Sequence, residues 1–157
     1  MHVMKYLGTV IAVSDIQASR KFYEDLFGLE VFQDFGINIS FIGGLSLQQE
    51  FDWIVGVPKE KILKDSNNME LYFEAEDFDG FVDTLSFYPG VKYVHEAKEA
   101  PWGQRSVRFY DLDGHIIEVG ENFKNVVTRF QDSGMSKEEV AERIGASLED
   151  LEKILNS

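Results

Sequence analysis

The chain has 157 residues, of which 44% are hydrophobic, 13 are Phe and none is Cys, and its formal net charge is −13. That is the length of one ordinary domain able to bury a core unaided; the lack of cysteine excludes disulfide scaffolds, thiolate metal sites and cysteine nucleophiles, and suits a reducing compartment. The acidic balance argues against nucleic acid and anionic lipid as partners, no apolar run reaches the length of a membrane span, and "MHVMKYLGTV" lacks the features of a signal peptide, so the expected location is cytoplasmic.

The first predicted strand lies in "LGTVIAV", where Thr9, Ile11 and Val13 alternate with Gly8, Val10 and Ala12. Asp15 stands where a helix N-cap belongs. Ile16, Ser19, Phe22, Tyr23, Leu26 and Phe27 then form a stripe at helical spacing, and Gly28 is placed to end the helix in the left-handed conformation. Short strands follow through "FGINISFIGGLSLQQEF", with Gly43-Gly44 as the turn of a hairpin. The polar stretch "VPKEKILKDSNN" reads as a connector.

After it the order repeats. "MELYFEA" alternates as a strand, Asp77 takes the capping place of Asp15, Phe78, Phe81, Val82 and Leu85 recur at helical spacing, and Pro89-Gly90 stops the helix. "VKYVHE", "SVRFYD" and "HIIEVG" supply further strands, the last two joined by a "DLDG" turn. Two copies of a βαβββ module, at 1–56 and 68–123, therefore make up a domain over 1–125. The tail reads as a helical hairpin over 134–157: Ser136 caps a helix with Glu139 in the capping-box position, Gly145 ends it, and Ser147 starts a second helix bearing Leu148, Leu151 and Leu155. The run "EEVAERIGASLEDL" resembles a helix-turn-helix, but its acids outnumber its bases, and a helix beginning Leu-Glu-Asp repels phosphates. Two such short helices must pack on the sheet domain or on a partner.

The strings "VSDIQASRKFYEDLFGLEV" and "PWGQRSVRFYDLDGHIIEVGE", with the two-module order, resemble the vicinal oxygen chelate superfamily of glyoxalases, bleomycin- and fosfomycin-resistance proteins and extradiol dioxygenases, over about residues 4–123. The resemblance implies an α+β fold in which two βαβββ modules form an eight-stranded, cup-shaped mixed sheet whose concave face is the site. It also implies a homodimer, which is common in the superfamily. Metal-dependent members carry two His and two Glu, or a close variant, on that face. The matching positions here are Gly8, Gln48, Glu70 and Glu118, so both histidines are missing.

Strand phase places Glu70, Tyr72 and Glu74 on one face and Leu71, Phe73 and Ala75 on the other, and it turns Ser106, Arg108 and Tyr110 toward the polar side. Two acids converging on a common hollow need a metal, a shared proton or an adjacent arginine. A metal held by Glu70, Glu118, Gln48 and water would be an oxygen-ligated divalent ion, Mg, Mn or Ca in preference to Zn or Ni; Arg108 is the alternative cation. Trp102 sits on a loop where it either covers the site and stacks on a ligand or plugs the gap between strands. His2 falls on the terminus, His95 at the end of a strand, and His115 after the turn, where it is expected to face solvent.

Three functions fit. The first is a glyoxalase- or bleomycin-resistance-like protein that binds a small organic ligand through Gln48, Glu70, Tyr72, Trp102, Arg108 and Glu118 without catalysis. The second is an atypical divalent-metal-dependent lyase or dioxygenase-like enzyme with Glu118 as its catalytic carboxylate. The third is a protein-interaction module using the acidic surface and the C-terminal helices.

Overall fold

The structure, a computed structural model, describes residues 2–157. Its contacts divide the chain into two units, one running up to Asn68 and including Asp111–His115, the other comprising Met69–Tyr110 and Ile116–Ser157. The eight strands are arranged as two four-stranded mixed sheets, one for each βαβββ module.

The first unit contains β1 (Thr9–Ala12), α1 (Ile16–Phe27), β2 (Val31–Asp34), β3 (Asn38–Phe41), β4 (Leu45–Gln48), α2 (Phe51–Val55) and a single 3-10 turn at Lys59–Lys61. The strand order is β1-β4-β3-β2, with β1 parallel to β4 and the other pairs antiparallel. Asp15 caps α1 by accepting from Ala18 N at 3.1 Å, and Gly28 closes it at φ 61°. The helix lays Phe22, Tyr23 and Leu26 into a core with Ile11, Ile39, Phe41 and Leu47, each contributing about 1.5–3 kcal/mol by leaving water. Gly8 is required for a different reason. At φ 147° its backbone lies so close to the β3–β4 turn that a Cβ would stand 1.7 Å from Gly44 O, the carbonyl that accepts from Thr9 N.

The second unit contains β5 (Glu70–Ala75), α3 (Phe78–Phe87), β6 (Lys92–Glu99), β7 (Arg105–Tyr110), β8 (Ile116–Glu121), α4 (Phe123–Asp132), α5 (Lys137–Ile144) and α6 (Leu148–Leu155). Its sheet repeats the pattern as β5-β8-β7-β6, with β5 parallel to β8. Asp77 caps α3 through Gly80 N. One face of the sheet is apolar: Val107, Phe109, Ile117 and Val119 are buried with Phe78 and Leu85 of α3, and the Phe81 and Phe109 rings lie 6.3 Å apart. The opposite face is left polar.

The C-terminal helices pack on α4, which the sequence reading passed over. Val127 of α4, Val140 and Ala141 of α5 and Leu151 of α6 form one buried cluster, with Phe130, Met135 and Ile144 packed against it. The signals for α4 are present: Asn122 accepts from Lys124 N at 2.8 Å as its cap, and Val126, Val127 and Phe130 have helical spacing. α5 carries the full Ser136–Glu139 capping box. Among the described residues no helix is long and apolar enough to cross a membrane.

Candidate functional site

The polar face of the second sheet is built around Arg108. In β7 this residue pairs across the ladder with Glu118 of β8, and Glu118 in turn lies beside Tyr72 of β5. The period-two alternation therefore puts Glu70, Tyr72, Arg108 and Glu118 on one surface. Arg108 Nε donates to Glu70 Oε2 at 2.9 Å and Nη2 lies 2.9 Å from Glu118 Oε2, so one guanidinium bridges both carboxylates. Its remaining nitrogen, Nη1, reaches His95 Nε2 of β6 at 3.1 Å and Ser106 Oγ at 3.5 Å. A guanidinium only donates, so His95 Nε2 accepts. That assigns the ring proton to Nδ1, which lies 2.8 Å from Glu96 O.

The two acids have opposite titration behaviour. Glu118 is 6% exposed; burial, with the hydrogen bond and charge of Glu70, pushes its carboxyl up to about 7 against the pull of Arg108. Burial also works to raise Glu70, but the hydrogen bonds from Arg108 and Glu118 and the Arg108 charge outweigh it and hold Glu70 below its usual value. Below about pH 7 the proton therefore resides on Glu118 and is donated to Glu70, a neutral acid beside an ionised one.

A second group extends the same face. Gln104, buried, donates from Nε2 to Tyr72 Oη at 3.0 Å and to Glu121 O at 3.1 Å, while its Oε1 accepts from Trp102 Nε1 at 3.2 Å. One amide thus fixes both aromatic side chains, of which Tyr72 is 50% and Trp102 43% exposed. Burial and the nearby Glu74 and Glu118 raise the Tyr72 phenol against the Gln104 hydrogen bond, which keeps it protonated. The sequence reading missed Gln104 because a neutral polar residue in a loop carries no motif; it also left His95 without a role.

The first-unit positions differ. Gln48, on β4, is buried, but its amide is fully engaged: Nε2 donates to Ile37 O at 3.0 Å and Gln49 O at 2.8 Å, and Oε1 accepts from Asn38 Nδ2 at 2.9 Å. It is a structural crosslink of its own sheet. Gly8 offers no donor, and the Gly44 carbonyl fills the space a side chain would need.

Comparison with known proteins now places the chain. A family model described as a glyoxalase-like domain matches residues 6–124. The chain belongs to this glyoxalase-like family. A crystal structure of a protein of unknown function from Agrobacterium tumefaciens str. C58 is 34% identical with a TM-score of 0.66, over 77% of this chain and 96% of that one. A glyoxalase/bleomycin resistance protein/dioxygenase family enzyme from Burkholderia phytofirmans PsJN is similar in fold at 16% identity, with a TM-score of 0.64 over 75% and 98% of the two chains. A member of the same superfamily from Sphaerobacter thermophilus DSM 20745 shows 22% identity and a TM-score of 0.56 over 76% and 98%. No curated protein matches.

The divalent metal of metal-dependent glyoxalase relatives does not fit the residues present. Among the described residues no three His, Cys, Asp or Glu side chains are grouped to hold an ion. Gln48 has its amide spent, and Arg108 already stands between Glu70 and Glu118 where a cation would be needed.

The "DLDG" turn of this glyoxalase-like chain joins β7 to β8 as expected, but the histidine that follows it departs from expectation. His115 does not face solvent: its side chain is 17% exposed, and Nδ1 lies 2.8 and 3.0 Å from the two oxygens of Asp111. Asp111 also accepts from Tyr23 Oη at 2.6 Å and from the His115 and Asp113 amides. Burial works against ionising both partners, but their hydrogen bond and mutual charge prevail, lowering Asp111 and raising His115. Asp113 accepts from Ser14 N at 3.0 Å and Ser14 Oγ at 2.6 Å.

Proposed function

We propose that this glyoxalase-like protein binds a small organic ligand on the polar face of its second sheet without a metal ion. Arg108 supplies the positive charge that a metal supplies in metal-dependent relatives. The observation that carries this reading is the bridging guanidinium, 2.9 Å from each of two carboxylates. Around it, the half-exposed Tyr72 hydroxyl is a hydrogen-bond donor to a ligand oxygen, and half-exposed Trp102 offers a surface on which a planar group stacks. The ligand class is therefore a planar molecule bearing oxygen acceptors. Native mass spectrometry of protein purified without chelator tests this. A retained small molecule that is lost in Arg108→Met and weakened in Trp102→Ala supports it; retention unaffected by both substitutions contradicts it.

A second reading rests on Glu118 itself. A carboxyl that titrates at about 7 beside one held low has the arrangement used for proton transfer near neutral pH. Metal-independent removal and return of a proton at a carbon next to a carbonyl, as in a lyase or isomerase, is the activity it would support. Turnover rising with the ionised fraction of Glu118 through pH about 7, and abolished in Glu118→Gln, is the expected signature. A homodimer acting in the cytoplasm belongs to the same proposal, its assembly state to be read by light scattering.

A further inference from the structure

The first unit contains a cavity of about 330 Å³, walled by the end of β1, the residues after β4, the start of α2, the 59–64 segment and the Asp111–His115 turn. Its size is at the small end for ligand pockets. Val13, Phe51, Ile62 and Leu63 give it an apolar lining. Charges of both signs face the same space, with Lys59, Lys64 and His115 on one side of the balance and Glu50, Asp52 and Asp113 on the other.

Some of these groups are already spent. Asp113 is taken up by Ser14 and by Lys64, whose Nζ lies 3.7 Å from Oδ1. His115 uses Nδ1 on Asp111, which leaves Nε2 as the nitrogen open to a ligand. Asp111 and Asp113 keep that ring protonated to higher pH than a free histidine, against the effect of burial. Glu50, Asp52 and Lys59 have no ion-pair partner among the described residues. Glu50 is also held at φ 54°, and although it sits at the N-cap of α2 its side chain makes no capping hydrogen bond. Its carbonyl accepts from Ile54 N at 3.2 Å, but a bulky acid kept in a sparsely populated region whose carboxylate makes no capping bond in return points to a role for that carboxylate elsewhere.

We infer that this cavity binds a small zwitterion with an apolar side chain, in chemistry an α-amino acid. Its carboxylate meets His115 and Lys59, its ammonium meets Glu50 and Asp52, and its side chain lies among Phe51, Ile62 and Leu63. A simple anion would confront two unspent acids, and a simple cation would confront the unspent Lys59 ammonium; a ligand carrying both charges avoids both penalties. This site lies wholly within the first unit and is independent of the Arg108 face.

Titration of the full chain with L-phenylalanine and L-leucine, followed by amide nitrogen–proton NMR, tests the inference. The comparison probes are 3-phenylpropanoate, which lacks the ammonium, and 2-phenylethylamine, which lacks the carboxylate. The expected result is a saturable shift of residues 50–52, 62–64 and 113–115 with at least one amino acid, and binding at least about tenfold tighter than either comparison probe, since each leaves a charged group unmatched. Lys59→Met, a change at an exposed residue, is expected to weaken that binding about fivefold or more, and His115→Gln to do likewise. No saturable shift with either amino acid, equal binding of a comparison probe, or unchanged affinity in both variants would overturn the site.

Discussion

Replacing Glu118 by Gln keeps the shape of the side chain and removes one titration. The native carboxyl is raised from 4.5 to about 7, by burial first and then by Glu70. Between those values the folded chain holds a proton that the unfolded chain has released. The stability this contributes is complete below pH 4.5 and is lost as pH rises through about 7. A gap of about 2.5 pK units at 1.36 kcal/mol each sets a ceiling of about 3 kcal/mol. Glu70 acts with the opposite sign: its carboxyl is held low, so its contribution is present above its unfolded value and fades as pH falls. With Arg108 still in place, the net loss for the unsubstituted protein from pH 5 to pH 8 is on the order of 1–2 kcal/mol, or about 3–6 °C in Tm for a chain of this size. Glu118→Gln, which mimics the protonated acid, is expected to remove most of that slope. Urea unfolding at pH 5, 6, 7 and 8 measures it, and parallel stability profiles for the two proteins would refute the assignment of the raised carboxyl to Glu118.

Further predictions follow from the same contacts. Arg108→Met leaves buried Glu118 beside Glu70 without a cation, and should cost about 2–3 kcal/mol more at pH 8 than at pH 5, after discounting for the partly exposed Glu70; chemical denaturation at the two pH values reads this directly. Gly8→Ala places a methyl 1.7 Å from Gly44 O at φ 147° and should lower stability by at least about 3 kcal/mol in a thermal melt; a loss under about 0.5 kcal/mol would mean that β1 does not approach the turn as described. His115, raised above its ordinary 6.5, contributes stability that is full below that value and lost as pH rises through its folded pKa; Asp111, lowered from 3.8, contributes above that value and loses it as pH falls. Their pair is thus strongest between pH 3.8 and 6.5, and His115→Gln should flatten the decline above 6.5, with the imidazole NMR titration falling above 6.5 in the parent protein. Leu151→Ala opens the α4–α6 cluster at a cost of about 2–4 kcal/mol, seen as faster hydrogen exchange in those helices while β5 and β8 stay protected.

Much of this architecture is local in origin and therefore visible in the chain itself. Asp15 and Asp77 mark both module helices because an N-cap is set by one side chain and the amide three residues on. That Glu70, Tyr72 and Arg108 share one face of their sheet follows from alternation alone, as does the burial of Phe109 and Val107 on the other face. What alternation cannot convey is which partner a polar group takes. Gln48 lies in the expected phase, yet it is satisfied by Ile37, Asn38 and Gln49, and no spacing rule reports that. Asp111 looks like turn chemistry in "DLDG", and its bonds to His115 are local to that turn; its bond to Tyr23, far back in the chain, exists only once α1 has packed. α4 was overlooked because "NFKNVVTRF" mixes a short apolar stripe with polar residues, and it becomes necessary only through Val127, which the last two helices cover.

Equilibrium dialysis of the protein against manganese, nickel and zinc, followed by elemental analysis, tests most directly whether Arg108 stands in for a metal. Less than about 0.1 ion per chain is predicted for each, because the position between Glu70 and Glu118 is already filled by a guanidinium. One bound ion per chain, lost on substituting Glu118 by Ala, would contradict it.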